Sequence, residues 1–113
     1  MSEHCLFCRI IRREVAAEIV AENDVCLAFK DADPQAPVHI LVVPKEHVSS
    51  LNDVKDAATA GALALMAAEV AREAGVADSG YRTVINTNGN GGQSVFHLHL
   101  HVLGGRKLTW PPG

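Results

Sequence analysis

The stretch His97-Leu98-His99-Leu100-His101-Val102-Leu103 alternates histidine with aliphatic residues, and a period of two is the signature of a β-strand. On such a strand His97, His99 and His101 share one side with Val95 and Leu103, while Phe96, Leu98, Leu100 and Val102 form the other. The aliphatic side must be covered, so the chain has to pack a sheet against a second layer. The other side carries three of the six histidines in the chain, about 7 Å apart, which lets neighbouring rings touch one ligand in different roles. Imidazole, with an ordinary pKa of about 6.5, is both nucleophile and proton carrier at neutral pH. His99, in the middle, is the natural nucleophile toward phosphorus. A metal site or a polar stripe facing solvent would use the same pattern.

The remaining pattern supplies the partner elements. Leu6, Phe7, Ile10 and Ile11 at helical spacing predict a short N-terminal helix over residues 6–13. Glu18–Ala21 and Val25–Phe29 read as a hairpin about a polar Glu22-Asn23-Asp24 turn. Two prolines in Asp31–Pro37 mark a loop, and His39–Val43 follows as a buried strand stopped by Pro44. From Asp53 or Asp56 to Ala74, the residues Leu63, Met66, Ala67, Val70 and Ala74 form one apolar stripe of a long helix, with Gly75 where a helix-ending glycine belongs. Tyr81–Asn86 and Val95–Leu103 are two further strands, joined by the turn-rich segment 87–92. The sum is a single α+β domain over residues 1–113: a mainly antiparallel sheet with one long helix on a face.

Composition narrows the function. With 48% hydrophobic and 20% charged residues the chain is globular, and a net charge of -3 argues against nucleic acid as a partner. No apolar run reaches the length of a membrane span, so no membrane partner is expected. The polar stretch Met1–Arg13 contains no apolar leader, so a cytoplasmic, reducing location is expected. There the three cysteines are thiols or metal ligands rather than a disulfide framework. Cys26, between Val25 and Leu27, reads as small apolar core. Cys5-Leu6-Phe7-Cys8 is a two-cysteine knuckle, half of a tetrahedral metal site.

The run His97–Leu103 resembles the motif of the histidine triad (HIT) family. Gly91-Gly92-Gln93-Ser94-Val95 before it, Gly104-Gly105-Arg106 after it and the terminal Trp110-Pro111-Pro112-Gly113 are similar to the Hint branch of that family, the histidine triad nucleotide-binding proteins. Phe29, Asp31, Pro34–Pro37 and His39–Lys45 extend the resemblance along essentially the whole chain.

The resemblance implies a HIT-like fold with a five-stranded sheet and hydrolysis of purine nucleoside 5′-phosphoramidates and aminoacyl adenylates through a nucleotidyl-histidine. By motif position His99 is the nucleophile, His101 contacts the phosphate and protonates the departing amine, His39 belongs to the histidine relay, and Ser94 assists at the phosphate. Asp31 matches the ribose-binding acid, with Leu6, Phe7, Ile10, Phe29, Ala32 and Leu41 as the base pocket. Asn86, Gly92, Gln93, Ser94 and Val95 match positions around the phosphate and leaving group.

The same likeness points to His47 and His97 as completing a structural zinc site with Cys5 and Cys8; His4 is a weaker ligand choice. No organic cofactor is implied. It also implies a homodimer whose tail, residues 105–113, contacts the partner, and purine nucleoside monophosphate derivatives as ligands. Two other functions share these residues: a nucleotide-binding scaffold with little turnover, and a dinucleoside polyphosphate hydrolase. Branches that transfer nucleotidyl groups to sugars carry glutamine where this chain has His101.

Overall fold

Residues Ile19–Glu22 (β1), Cys26–Lys30 (β2), Val38–Pro44 (β3), Tyr81–Val84 (β4) and Leu100–Gly104 (β5) form one sheet in the order β1-β2-β3-β5-β4. Every pairing is antiparallel. The computed structural model describes residues 4–113; Met1–Glu3, the start of the polar N-terminal stretch, lie outside the described residues. The β1–β2 turn is closed by Asn23, whose side-chain oxygen accepts from the backbone N–H groups of Val25 and Cys26.

Helix α1 (Leu6–Ile11) is capped by Cys5, whose sulfur accepts from the Cys8 N–H. It stops two residues short of the predicted end because Arg13 adopts a left-handed φ of 64°. Helix α2 (Ala57–Glu73) starts at Asp56, which accepts from the Thr59 N–H at 2.6 Å. Asp53, the alternative start, instead closes a capping box on Ser50 in a separate 3₁₀ turn, Leu51–Asp53. The α2 stripe buries Leu63, Met66, Ala67, Val70 and Ala71. Ala74, predicted on that stripe, is exposed at the C-cap. Gly75, at φ 79°, reverses the chain so that the Val76 N–H reaches the Ala71 carbonyl.

Strand alternation divides the interior in two. Cys26, Ala28, Ile40, Val42, Leu100 and Val102 pack on α2, together with Leu98. Leu27, Phe29, Leu41 and Val43 face the other way and pack on α1 through Phe7, Cys8 and Ile10. Cys26 is thus core, as expected. Because Leu41 pairs with His101 and His39 with Leu103, the histidines of β3 and β5 lie on the α1 side of the sheet.

Two predicted strands are shorter than the alternation suggested. β4 ends at Val84, and segment 87–92 is a helical turn, α3 (Asn88–Gly91), rather than a hairpin turn. The predicted strand Val95–Leu103 pairs only from Leu100 onward. Before it, the Leu98 N–H donates to the Val48 carbonyl and the His97 ring is drawn onto Pro44. Phe96, assigned to the core side, is exposed.

Candidate active site and metal centre

Residues from α1, the end of β2, the middle of β3, and the segment leading into and along β5 line a cleft of about 580 Å³ on the α1 side of the sheet. Its walls contain Leu6, Phe7, Ile10, Phe29, Ala32 and Leu41, with Asp31, Ser94, Val95, His99 and His101 supplying further positions expected from the sequence. Asn86, Gly92, Gln93 and His39 do not line it; His39 stands behind His101. Gln93 is buried, and its amide is committed to the backbone: Nε2 donates to the Ser49 and Val95 carbonyls, and Oε1 accepts from the Asn88 N–H. It holds the loop in front of β5 in shape. Gly92, at φ 83°, provides the left-handed turn that loop requires.

Val15, Ala16, Ala17, Glu18 and Lys30 also line the cleft and were not anticipated. The first three lie between α1 and β1 with no periodicity to mark them. The Glu18–Lys30 pair, 2.7 Å apart at the rim, joins β2 to the residue preceding β1. A cross-strand charge pair is a signal the hairpin reading could have used.

The hydrogen bonds assign each histidine a tautomer. The Gln35 N–H donates to His39 Nδ1 at 3.0 Å, so the His39 proton sits on Nε2. From there it is shared with His101 Nδ1 at 2.8 Å and lies 3.4 Å from the Asp31 carboxylate. His101 Nδ1 is therefore an acceptor, and its Nε2 carries the N–H. His99 is arranged the opposite way: its Nδ1–H donates to the His97 carbonyl at 2.7 Å, which leaves a lone pair on Nε2. The two rings stand 5.0 Å apart edge to face. One cleft thus presents a nucleophilic nitrogen beside an N–H donor. Burial, then the nearby His99 and His39, hold His101 down to about 4, and burial lowers His39 as well. Both rings are neutral at pH 7.

His97 is turned away from this cleft and fully buried. Its Nδ1 lies 3.3 Å from the Cys5 sulfur and 3.5 Å from that of Cys8, while His47 Nδ1 is 3.3 Å from the Cys8 sulfur. All four donor atoms fall within 4.8 Å of one another. A tetrahedral zinc ion, with bonds of about 2.3 Å to sulfur and about 2.0 Å to nitrogen, holds sulfur and nitrogen about 3.5 Å apart, so the set fits that metal. His97 Nε2–H donates to the Pro44 carbonyl at 2.8 Å, which leaves Nδ1 free to ligate. Burial lowers His97 to about 4, so it is a neutral, ligand-competent ring. Burial and the adjacent Cys5 push the Cys8 thiol up to about 11, and a cation is what would convert it to a thiolate. His4, the weaker ligand choice, is exposed and is not one of these four.

Fold and site together define an α+β protein with paired imidazoles over an apolar cleft and a buried Cys₂His₂ cluster beside it. The chain belongs to the HIT domain family, whose match spans residues 12–108. It is 44% identical over 110 residues to the purine nucleoside phosphoramidase of Escherichia coli strain K12, covering 96% of this chain and 92% of that one. A HIT family hydrolase from Legionella pneumophila superposes with a TM-score of 0.94 at 46% identity, covering 97% of this chain and all of the other. A zinc-bound histidine triad family protein from Mycobacterium smegmatis superposes at 0.82 with 32% identity, covering 95% of this chain and 81% of its own. None of the described helices is long and apolar enough to cross a membrane.

Proposed function

We propose that this protein is a cytoplasmic hydrolase of purine nucleoside 5′-phosphoramidates and aminoacyl adenylates, acting through a nucleotidyl-His99 intermediate. The observation that carries this reading is the pairing of opposite tautomers on His99 and His101 in one cleft. In this account the purine lies against Phe7, Ile10, Phe29 and Leu41. The ribose hydroxyls donate to Asp31, one of whose oxygens accepts from the Asp33 N–H and so holds the carboxylate in place.

His99 Nε2 then attacks phosphorus in line, and the P–N bond breaks as the amine takes a proton from His101 Nε2. The approaching phosphate anion favours the protonated form of His101, offsetting the burial that keeps it neutral in the free cleft; in that form the His39 Nε2–H turns from His101 Nδ1 to the Asp31 carboxylate. Ser94, exposed at the cleft edge, donates to a phosphate oxygen. Water attacks the nucleotidyl-histidine in the second step, activated by the now neutral His101, and the nucleoside monophosphate leaves. The name of the Escherichia coli relative supports the choice of P–N bond.

Cys5, Cys8, His47 and His97 would hold a structural zinc ion in this reading, which the zinc-bound relative supports. When bound, the ion supplies a cross-link between α1 and the segment leading into β5.

The test is hydrolysis of adenosine 5′-phosphoramidate by wild type and His99→Ala. The variant should lose at least about 10³-fold in kcat while still binding AMP within a few-fold of wild type. Turnover that survives the substitution would remove His99 from its role.

A further inference from the structure

Two short links connect the Cys₂His₂ cluster to His99, and we propose that this cluster is the positioning device of the nucleophile: an ion held by Cys5, Cys8, His47 and His97 fixes the ring orientation and tautomer of His99. The inference rests on the reading of His99 as nucleophile and deepens it.

The first link runs through His97. Its ring is held at both nitrogens, Nδ1 among the sulfur atoms and Nε2 on the Pro44 carbonyl. Its backbone carbonyl is the acceptor for His99 Nδ1–H. With the His97 ring ligated, that carbonyl is anchored, and the proton on His99 stays on the nitrogen remote from the cleft. The second link runs through α1. Cys5 caps this helix and Cys8 lies within it, and Phe7 between them stands edge to face against His99 at 5.1 Å and against His97 at 6.0 Å. A helix of six residues is far too short to hold itself in water. Its place, and so the wall behind the His99 ring, depends on what ties it down.

His47 separates this proposal from a purely structural role. It is half-buried, contributes Nδ1 to the cluster, and does not line the cleft. Its ring stands edge to face on His97 at 5.0 Å and reaches Cys8 of α1, so its removal weakens the ion's hold while leaving the Pro44 bond of His97, its contact with Cys5 and every residue lining the cleft in place. His47→Cys should restore the centre, because three thiolates and one imidazole also suit tetrahedral zinc.

The experiment compares zinc-loaded wild type, chelated wild type, His47→Ala and His47→Cys. It reads metal content, the ¹⁵N shifts of the His99 ring, the single-turnover rate of adenylyl-His99 formation and the dissociation constant for AMP. Zinc-loaded wild type and His47→Cys should show a pure Nδ1–H tautomer. Chelated wild type and His47→Ala should show averaged ring shifts and a rate about 10- to 100-fold lower, with AMP affinity within about threefold. A metal-free, folded chain with unchanged His99 shifts and rate overturns the proposal, as does a chain that takes up no zinc.

Should the metal-free chain unfold, cadmium-substituted wild type decides the matter. The larger ion must move the His99 resonances, and identical resonances refute the link. Failure of the nucleophile reading looks different, because no adenylyl-His99 would then form even in zinc-loaded wild type.

Discussion

Asp31 serves two neighbours at once. One oxygen accepts from the Asp33 N–H and the other faces His39 Nε2, the nitrogen that donates to His101. The carboxylate therefore steadies the histidine pair as well as offering acceptors to a ribose. Both rings of that pair are held below their ordinary pKa by burial, His101 to about 4. Between pH about 6.5 and 4 the unfolded chain consequently binds protons that the folded chain refuses. Stability is thus complete above pH 6.5 and is lost as pH falls through that window. Thermal melts across it should show the decline, and His101→Asn, which cannot titrate, should flatten it relative to wild type; parallel curves would contradict the assignment.

Individual residues were legible to different degrees. The knuckle cysteines and the alternating histidines stand out in the sequence, and the structure draws His97 and His47 to the former. The amide of Gln93 was not legible, because nothing local tells a substrate donor from one committed to the Ser49 and Val95 carbonyls.

At the scale of elements, strand alternation and helix caps carried most of the fold. Asp56, the Leu63–Val70 stripe and Gly75 mark α2 closely, and Asn23 marks the first hairpin. Alternation places the start of β5 too early, because it measures burial on two sides and not ladder pairing. His97 to His99 are buried alternately by the cysteine cluster, the α2 core and Phe7. The end of β5 is set by close approach. Gly105 has a φ of 89°, and a Cβ there would lie 2.8 Å from Cβ of Pro37, in the loop leading into β3. Gly105→Ala should cost about 1–3 kcal/mol from backbone strain and overpacking. A melting temperature several degrees lower is the expected reading, and an unchanged one would mean the turn can relax.

For the whole molecule, the sheet separates two tasks. Its α2 side is a continuous apolar core, while its α1 side holds the cleft and, alongside it, the metal cluster. Beyond β5, Arg82 donates to the Thr109 carbonyl, and Trp110 is 81% exposed. An aromatic ring left so open on a tethered tail is what a partner surface would cover, and we infer a homodimer with residues 105–113 reaching the second copy. Sedimentation equilibrium should return twice the 12.0 kDa chain mass at micromolar concentration, and a single-chain mass would refute it.

The nucleophilic role of His99 is tested most directly by trapping. Protein mixed with an adenosine 5′-phosphoramidate and quenched within one turnover under mildly alkaline conditions should yield an adenylylated peptide with the nucleotide on His99. An adduct on His101 or His39, or AMP release with no histidine adduct at any quench time, would contradict the account.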